Sequence, residues 1–281
     1  MPGTLFVVAT PIGNLGDLSP RAARTLSAVA VVAAEDTRRT AILLQRHGIP
    51  ARTISFHEHN ELGRLGGLIE RLTAGDDIAL VSDAGTPAVS DPGFRLVRAA
   101  IDAGIRVEAI PGPSAIMTAL VVSGLPPDRF VFEGFAPRRS QARLTWLTGL
   151  ANEPRTILFY EAPHRLRETL AALRSVLGDR RIAVARELTK LHEEVVRGRV
   201  SEVLTALPEV RGEVTVVVEG RVDEPAAGAV PDDEGIHREF GCLTKNLGLS
   251  RRAAIAQMAR RLGLPSRTVY AAIERARGRS G

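Results

Sequence analysis

Short apolar runs alternate with longer amphipathic stretches along the first 125 residues. Leu5-Phe6-Val7-Val8, Val29-Ala30-Val31-Val32, Arg52 to Phe56, Ile78-Ala79-Leu80-Val81 and Arg106 to Ile110 read as strands flanked by turn formers. Helical segments separate them. Ser19-Pro20 supplies an N-cap with proline at the first helical position. A second helix passes through Leu43 and Leu44 and stops near Gly48, and a third covers Leu62 to Leu72 before Gly75. Another follows Pro92, and Pro111-Gly112-Pro113-Ser114-Ala115 opens a fifth. Strands spaced by helices of this length predict parallel β-α-β units. Loops at the carboxyl ends of such strands are where open α/β sheets place ligands. The stretch Leu80 to Gly93, LVSDAGTPAVSDPG, is the most turn-rich of them.

A second unit begins near Pro126, with strands expected at Phe130 to Phe132, Thr156 to Tyr160, Ile182 to Ala185, Glu194 to Arg197 and Val214 to Val218. Helices are expected from Pro163 to Val176 and from Val200 to Leu207. Arg221 to Gly235 holds Pro, Gly, Ala and five acidic residues without periodicity, and reads as a linker. Ser250 then caps a helix carrying Ala254, Ile255, Met258 and Leu262, which Gly263 ends. Ser266 is expected to cap another with Val269, Tyr270 and Ile273. The pair has the form of a helix-turn-helix or of a plain helical hairpin. The predicted organisation is an α/β domain over 1–125, a second over 126–220, a linker over 221–235 and a basic helical tail over 236–281.

Composition narrows the class. The hydrophobic fraction of 44% and charged fraction of 25% are those of a soluble globular protein, and no apolar run approaches a membrane span. One cysteine, Cys242, excludes an internal disulfide framework and a cysteine-rich zinc site, so a cytoplasmic location is expected. The net charge of +5 is unevenly spread: Ile236 to Gly281 carries ten basic and two acidic residues, while the rest of the chain is slightly acidic. A polyanion-binding appendage explains that asymmetry, and a solvated helical surface is the plainer alternative.

Several standard sites are missing. The chain has no dinucleotide fingerprint after its first strand, no P-loop and no G-x-S-x-G elbow. A ligand held by backbone amides and carbonyls in Pro/Gly turns fits better than one held through phosphates. His57-Glu58-His59-Asn60-Glu61 places two histidines on one strand face, but no further His or Cys cluster completes a metal shell, so a polar substrate-facing or dimer loop is expected. In Glu35-Asp36-Thr37-Arg38-Arg39, Asp36 suits a helix N-cap, while the arginines suit local ion pairs or an RNA backbone. Arg138, Arg139 and Arg143 form a second basic cluster. Lys190 stands out because the chain uses 35 arginines and two lysines. A lysine offers a compact ammonium, or a group able to lose its proton, where arginine offers neither.

The ordered motifs TPIGNLGD, AAEDTR, HEHNE, LVSDAGTPAVSDPG, PGPSA, LPPDRFVFEGF, RTILFYEAPHRL, ARELTKLHEE and GEVTVVVEG span Thr4 to about Gly220. In that series the chain resembles the bacterial small-subunit ribosomal RNA (cytidine-2′-O)-methyltransferases of the tetrapyrrole methylase superfamily. The resemblance implies two α/β domains with S-adenosylmethionine in the cleft between them, usually in a homodimer. It implies cofactor contacts from Ile12, Asp83, Gly85, Thr86, Ser114, Ala115, Tyr160, Ala185, Glu213 and Thr215. Lys190, Glu187 and Glu35 are the candidates for removing the hydroxyl proton, with Lys190 favoured. Arg38, Arg39, Arg138, Arg139, Arg251, Arg252 and Arg267 are the candidate contacts to ribosomal RNA or an assembled small subunit. No metal is required by methyl transfer from a sulfonium. Ser82-Asp83-Ala84 stands where tetrapyrrole methylases commonly carry Gly-Asp-Pro, which disfavours the alternative of a small tetrapyrrole substrate. A non-catalytic RNA-binding relative is the remaining alternative.

Overall fold

The run Ile78–Val81 is buried on both faces and forms the middle strand of a parallel sheet. The computed structural model describes residues 1–207, 212–221, 231–246 and 249–279. Its first part runs β1 (Thr4–Val8), α1 (Pro20–Ala28), β2 (Val31–Ala34), α2 (Thr37–Arg46), β3 (Thr53–Ser55), α3 (Glu61–Ala74), β4 (Ile78–Val81), α4 (Phe94–Asp102), β5 (Arg106–Ile110) and α5 (Ala115–Ser123). The sheet order is β3-β2-β4-β1-β5, with every pairing parallel. Alternate side chains of the strands feed two cores. Val32, Ala34, Ala79 and Val81 meet Leu26, Leu43 and Leu44 from α1 and α2, while Val31, Ile78 and Leu80 meet Leu68, Leu72 and Leu96 from α3 and α4. Because all five strands are parallel, the loops after β1, β2, β4 and β5 emerge along one edge.

The expected strand at Val29 to Val32 lies two residues later. Val29 is taken by the C-cap of α1, its N–H donating to Thr25, and the ladder with β4 continues instead through Ala33 and Ala34. Ser19 caps α1 as its sequence suggests, accepting from the Ala22 N–H at 3.1 Å.

The second sheet comprises β6 (Phe130–Phe135), β7 (Thr156–Glu161), β8 (Arg181–Arg186), β9 (Glu194–Arg199) and β10 (Val214–Val218), in the order β6-β7-β10-β8-β9. Only β6 and β7 pair in parallel; the other neighbours are antiparallel. Helices α6 (Ser140–Gly149), α7 (Leu166–Leu177) and α8 (Val200–Ala206) cover one face. The other face is covered from the first half of the chain. Ile116, Ala119 and Leu120 of α5, together with Ile12 from the loop after β1, pack on Leu158, Ala183, Ala185 and Val217.

Helix α6 lacks a clear apolar stripe and is not foreseen by the sequence. It corrects the reading of Arg143 as part of a surface cluster with Arg138 and Arg139. Arg143 is 1% exposed, bonds Glu168 of α7, and its guanidinium also approaches the carbonyls of Pro137 and Arg138 at 3.4 and 3.5 Å.

The chain divides into two units, Met1–Arg221 and Val222–Gly281. Most of the expected linker lies outside the described residues, and its end differs from expectation. Asp232 accepts from the Gly235 N–H at 2.8 Å and caps α9 (Asp233–Gly241), because an acidic side chain at that position serves a helix start as well as a linker. After a π-helical turn at Cys242–Asn246 come α10 (Arg251–Leu262) and α11 (Ser266–Arg279). Ile236, Ala254, Met258, Val269 and Ile273 form their common core. Ser250 caps α10, and Gly263 ends it at φ 64°. Ser266 is already the first residue of α11 rather than its cap; the Pro265 carbonyl receives the Thr268 N–H at 2.9 Å. No helix among the described residues is long and apolar enough to cross a membrane.

Arg143→Ala is expected to destabilise the protein by about 2 kcal/mol or more, because it empties a buried site and frees two carbonyls. Arg138→Ala, on the surface, should stay within about 0.5 kcal/mol of the parent. Urea unfolding of the two variants measures the difference.

Candidate active site

Two adjacent strand ends are locked together by backbone bonds. Thr10, after β1, and Gly85, after β4, exchange N–H···O bonds of 2.8 and 3.0 Å, and the Thr10 hydroxyl donates to the Ser82 carbonyl at 3.1 Å. Gly85 sits at φ 81°, a conformation that favours glycine. Carboxylates fasten the next residue: the Asp83 N–H donates to Glu35 at 3.1 Å, the Asp36 N–H donates to Asp83 at 2.9 Å, and Arg39 lies 3.4 Å from Asp83. Further along, Ala88 and Ser90 hold positive φ values of 69° and 62°. Left-handed backbone at residues with side chains is strain that the surrounding bonds must hold.

The second sheet contributes a similar loop after β8. Glu187 and Thr189 are left-handed at φ 50° and 66°, and the Lys190 ammonium donates to Glu187 at 2.9 Å. This loop meets the loop after β1 directly. The Asn14 N–H donates to the Thr189 hydroxyl at 3.0 Å, and a Cβ on Gly13 would lie 2.5 Å from Cγ of Lys190. Glycine at position 13 is therefore what lets Lys190 reach the cleft.

Between the two sheets lies a cavity of about 960 Å³, at the upper end of the usual range for small-molecule sites. Ile12, Asp83, Gly85, Thr86, Ser114, Ala115, Tyr160, Glu213 and Thr215 all line it, as do Glu35, Glu187 and Lys190. Ala185 does not. It is 1% exposed and packs beneath the cleft with Leu158 and Val217. Its small side chain serves close packing under the floor.

Sequence reasoning passed over Asp91 and the aromatic wall of Phe130, Phe132 and Phe135, which line the same cavity. The signal for the wall is the pair of phenylalanines around Glu133-Gly134, where glycine inside a strand marks a bulge. The loop from His57 to Glu61 lines no part of the cleft. Asn60 folds back to bond Ser55 and the His57 N–H, and among the described residues no group of three His, Cys, Asp or Glu side chains is placed to hold a metal.

The cleft is acidic. Glu35, Asp83, Asp91, Glu187 and Glu213 face it, against Arg39 and Lys190, while the Glu161 carboxylate is turned away and buried against Arg165 and Thr169. Burial raises the Glu35 carboxyl, with Asp83 and Asp36 adding to it while the Asp83 N–H and Arg39 work against it. Burial also pushes Asp91 up to about 6, aided by Glu35, Asp83 and Glu213 and opposed by a bond from Ser82. Tyr160 rises to about 12 through burial and the nearby Asp91 and Glu213.

A family model for tetrapyrrole (corrin/porphyrin) methylases matches residues 4–204. The chain belongs to the tetrapyrrole methylase family. Ribosomal RNA small subunit methyltransferase I of Xylella fastidiosa is 49% identical over 274 residues, covering 96% of this chain and 98% of that protein. The proteins of the same name from Synechocystis sp. and Escherichia coli O157:H7 are 47% and 45% identical, covering 95% and 90% of this chain and 96% and 89% of their own lengths. Among solved structures, the methyltransferase CobJ superposes with a TM-score of 0.60 at 20% identity, over 78% of this chain and 97% of its own. Diphthine synthase superposes with a TM-score of 0.61 at 17% identity, over 77% and 89%.

S-adenosylmethionine is the methyl donor, and the residues present fit it. A sulfonium and an ammonium are favoured beside the carboxylates of Glu35, Asp83, Glu187 and Glu213. Ile12, Ala84, Ala115 and Ile116 offer apolar contact, and the constrained backbone of residues 83–86 offers fixed donors and acceptors.

The expected RNA-contacting arginines stand in different situations. Arg38 is held by Asp36, which caps α2, and Arg39 faces the cleft. Arg138 and Arg139 are exposed just before α6. Arg251 is paired with Glu274 and lies over the rings of Phe240 and Tyr270, whereas Arg252 and Arg267 are exposed.

The raised Asp91 carboxyl destabilises the fold when ionised. That penalty is absent below its unfolded value of 3.8 and fully present above about 6. Asp91→Asn should therefore raise the melting temperature at pH 8, and the gain should shrink as pH falls through 6 toward 4. Calorimetry without cofactor across that range reads the effect.

Proposed function

We propose that the protein transfers a methyl group from S-adenosylmethionine to the ribose 2′-hydroxyl of a cytidine in small-subunit ribosomal RNA. One observation carries the reading. The small-subunit methyltransferase of Xylella fastidiosa matches across 96% of the chain, whereas CobJ uses 97% of its own length to match 78% of it. The stretch beyond the family match includes the basic tail, and a polyanionic substrate accounts for it where a small tetrapyrrole does not.

When bound, the cofactor supplies an electrophilic methyl group. The chain must then hold the acceptor oxygen in line and take its proton. Lys190 and Glu187 do that work in this reading, which is supported by their bond to one another, their position in the cleft lining and a loop fixed against Gly13 and Asn14. The pair presents a nitrogen and a carboxylate at one point: with the ammonium's proton handed to Glu187, the Lys190 amine takes the hydroxyl proton. Glu35, bonded to the Asp83 amide, is better suited to holding the cofactor loop. The protein acts as a homodimer in this reading, supported by the family resemblance and by exposed Phe94 and Ile101 on α4 and Met117 and Val121 on α5. Arg251, Arg252 and Arg267 of the tail contact the RNA backbone in this reading, supported by the exposure of Arg252 and Arg267.

Digestion and mass spectrometry of small-subunit RNA, after incubation of unmethylated subunits with enzyme and cofactor, tests the reaction. A new 2′-O-methylcytidine is the expected product, and its absence overturns the reading. Lys190→Arg should bind cofactor normally while its single-turnover rate falls about 100-fold. A rate near that of the parent would remove Lys190 from the proton transfer.

Truncation after Arg221 should leave a folded, cofactor-binding unit, since the residues up to Arg221 form their own contact network. Its RNA affinity should fall and lose much of its salt dependence as phosphate contacts disappear. An unchanged salt slope would show that the tail makes no such contacts.

A further inference from the structure

The aromatic wall of the cleft is more exposed than a folding core requires. Phe135 is 60% exposed, yet it belongs to a ring cluster: its centroid lies 5.1 Å from that of Tyr160, which lies 5.1 Å from that of Phe132. Phe135 is aimed there by a bulge. The pairing of β6 with β7 shifts register between Phe132 and Phe135, and Gly134 turns at φ 69°. Bulges beside sites commonly re-aim a side chain in this way. The missing Cβ of Gly134 also faces the Ser90 hydroxyl at 3.6 Å, which brings the loop carrying Asp91 against the wall.

Asp91 faces the cleft from that loop, and the charged groups acting on it, Glu35, Asp83 and Glu213, are all acidic. Its one favourable neighbour is the Ser82 hydroxyl, and Tyr160 feels its charge. A half-buried carboxylate with no ion pair among the described residues, beside an exposed aromatic face, is suited to a flat ring bearing a hydrogen-bond donor.

We propose that Asp91 and Phe135 recognise the target base, the pyrimidine stacking on Phe135 while its exocyclic amine donates to the Asp91 carboxylate. This rests on the reading above and adds the means by which cytidine is chosen. Cytosine carries an N4 amino donor where uracil carries the O4 acceptor, so a carboxylate accepts from the first and repels the second. Stacking on an aromatic side chain is how an unpaired base is held while its edge is read. The cavity of about 960 Å³ leaves room for a nucleoside beside the cofactor. The cofactor loop at 83–86 and the aromatic wall both line it.

Single-turnover methylation by the full-length protein decides the matter, using unmethylated small subunits and subunits whose mapped target cytidine is replaced by uridine. The parent should prefer cytidine at least tenfold. Asp91→Asn should reduce that preference to about threefold or less, mainly by losing rate on cytidine, because an amide can turn either to accept from the cytosine amine through its oxygen or to donate to the uracil carbonyl through its nitrogen. Its calorimetric affinity for S-adenosylmethionine should stay within about twofold of the parent. Phe135→Ala should raise the half-saturating subunit concentration about tenfold, and Phe135→Tyr should restore it. If the parent forms no 2′-O-methylcytidine, the functional reading itself fails. If the parent does so while Asp91→Asn keeps the full preference, or loses cofactor affinity in step with rate, Asp91 does not read the base and the proposal is overturned. Phe135→Ala matching the parent overturns the stacking half.

Discussion

The active cleft depends on the interlock between the loop after β1 and the loop after β8. Ile12 is buried in the core under the second sheet, worth roughly 1.5–3 kcal/mol for a side chain of its kind. One residue later, Gly13 lies so close to Lys190 that no side chain fits between them, and Asn14 bonds Thr189. These contacts tie the edge of a parallel sheet to a mixed one. They also fix Lys190 with respect to the strand ends that bear Asp83 and Gly85. With α5 packed on the second sheet, they define the opening in which cofactor and substrate must meet.

Strain is concentrated around that opening. Among the described residues, the non-glycine positions with positive φ are Ala88, Ser90, Glu187 and Thr189, and all four lie in the two cleft loops. In the loop after β8 the Glu193 carboxylate accepts from the Thr189 amide at 2.6 Å and restrains it. The reciprocal bonds of Glu35, Asp36 and Asp83 perform the same task on the other side. A cationic cofactor relieves part of the resulting concentration of negative charge, so binding and loop order are coupled through electrostatics.

The small terminal unit follows different rules. Its helices bury Ile236, Leu243, Ile255, Met258, Val269 and Ile273 against one another, and Arg251 adds contacts with Phe240, Tyr270 and Glu274. Arginine thus serves two purposes there, laying a partly exposed guanidinium over two rings at Arg251 and presenting exposed charge at Arg252 and Arg267.

Local patterning determined much of this architecture. The runs Ile78–Val81, Arg106–Ile110 and Val214–Val218 are strands over the expected residues, because a short apolar stretch between turn formers has few other ways to bury itself. Ser19, Asp36 and Ser250 cap helices through bonds that need only nearby backbone. The ordered motifs also carried the cleft residues, with Ala185 the one cofactor candidate found in the packing beneath. Tertiary structure decided what local rules cannot reach. Arg143 reads as surface charge until α7 brings Glu168 beside it, and α6 has no stripe to announce it. Asp91 and Phe135 are unremarkable along the chain, since one is a turn residue and the other a strand residue. Their common environment arises only when a bulge in the second sheet meets a strained loop from the first, and such contacts depend on distance in space, which sequence spacing does not encode.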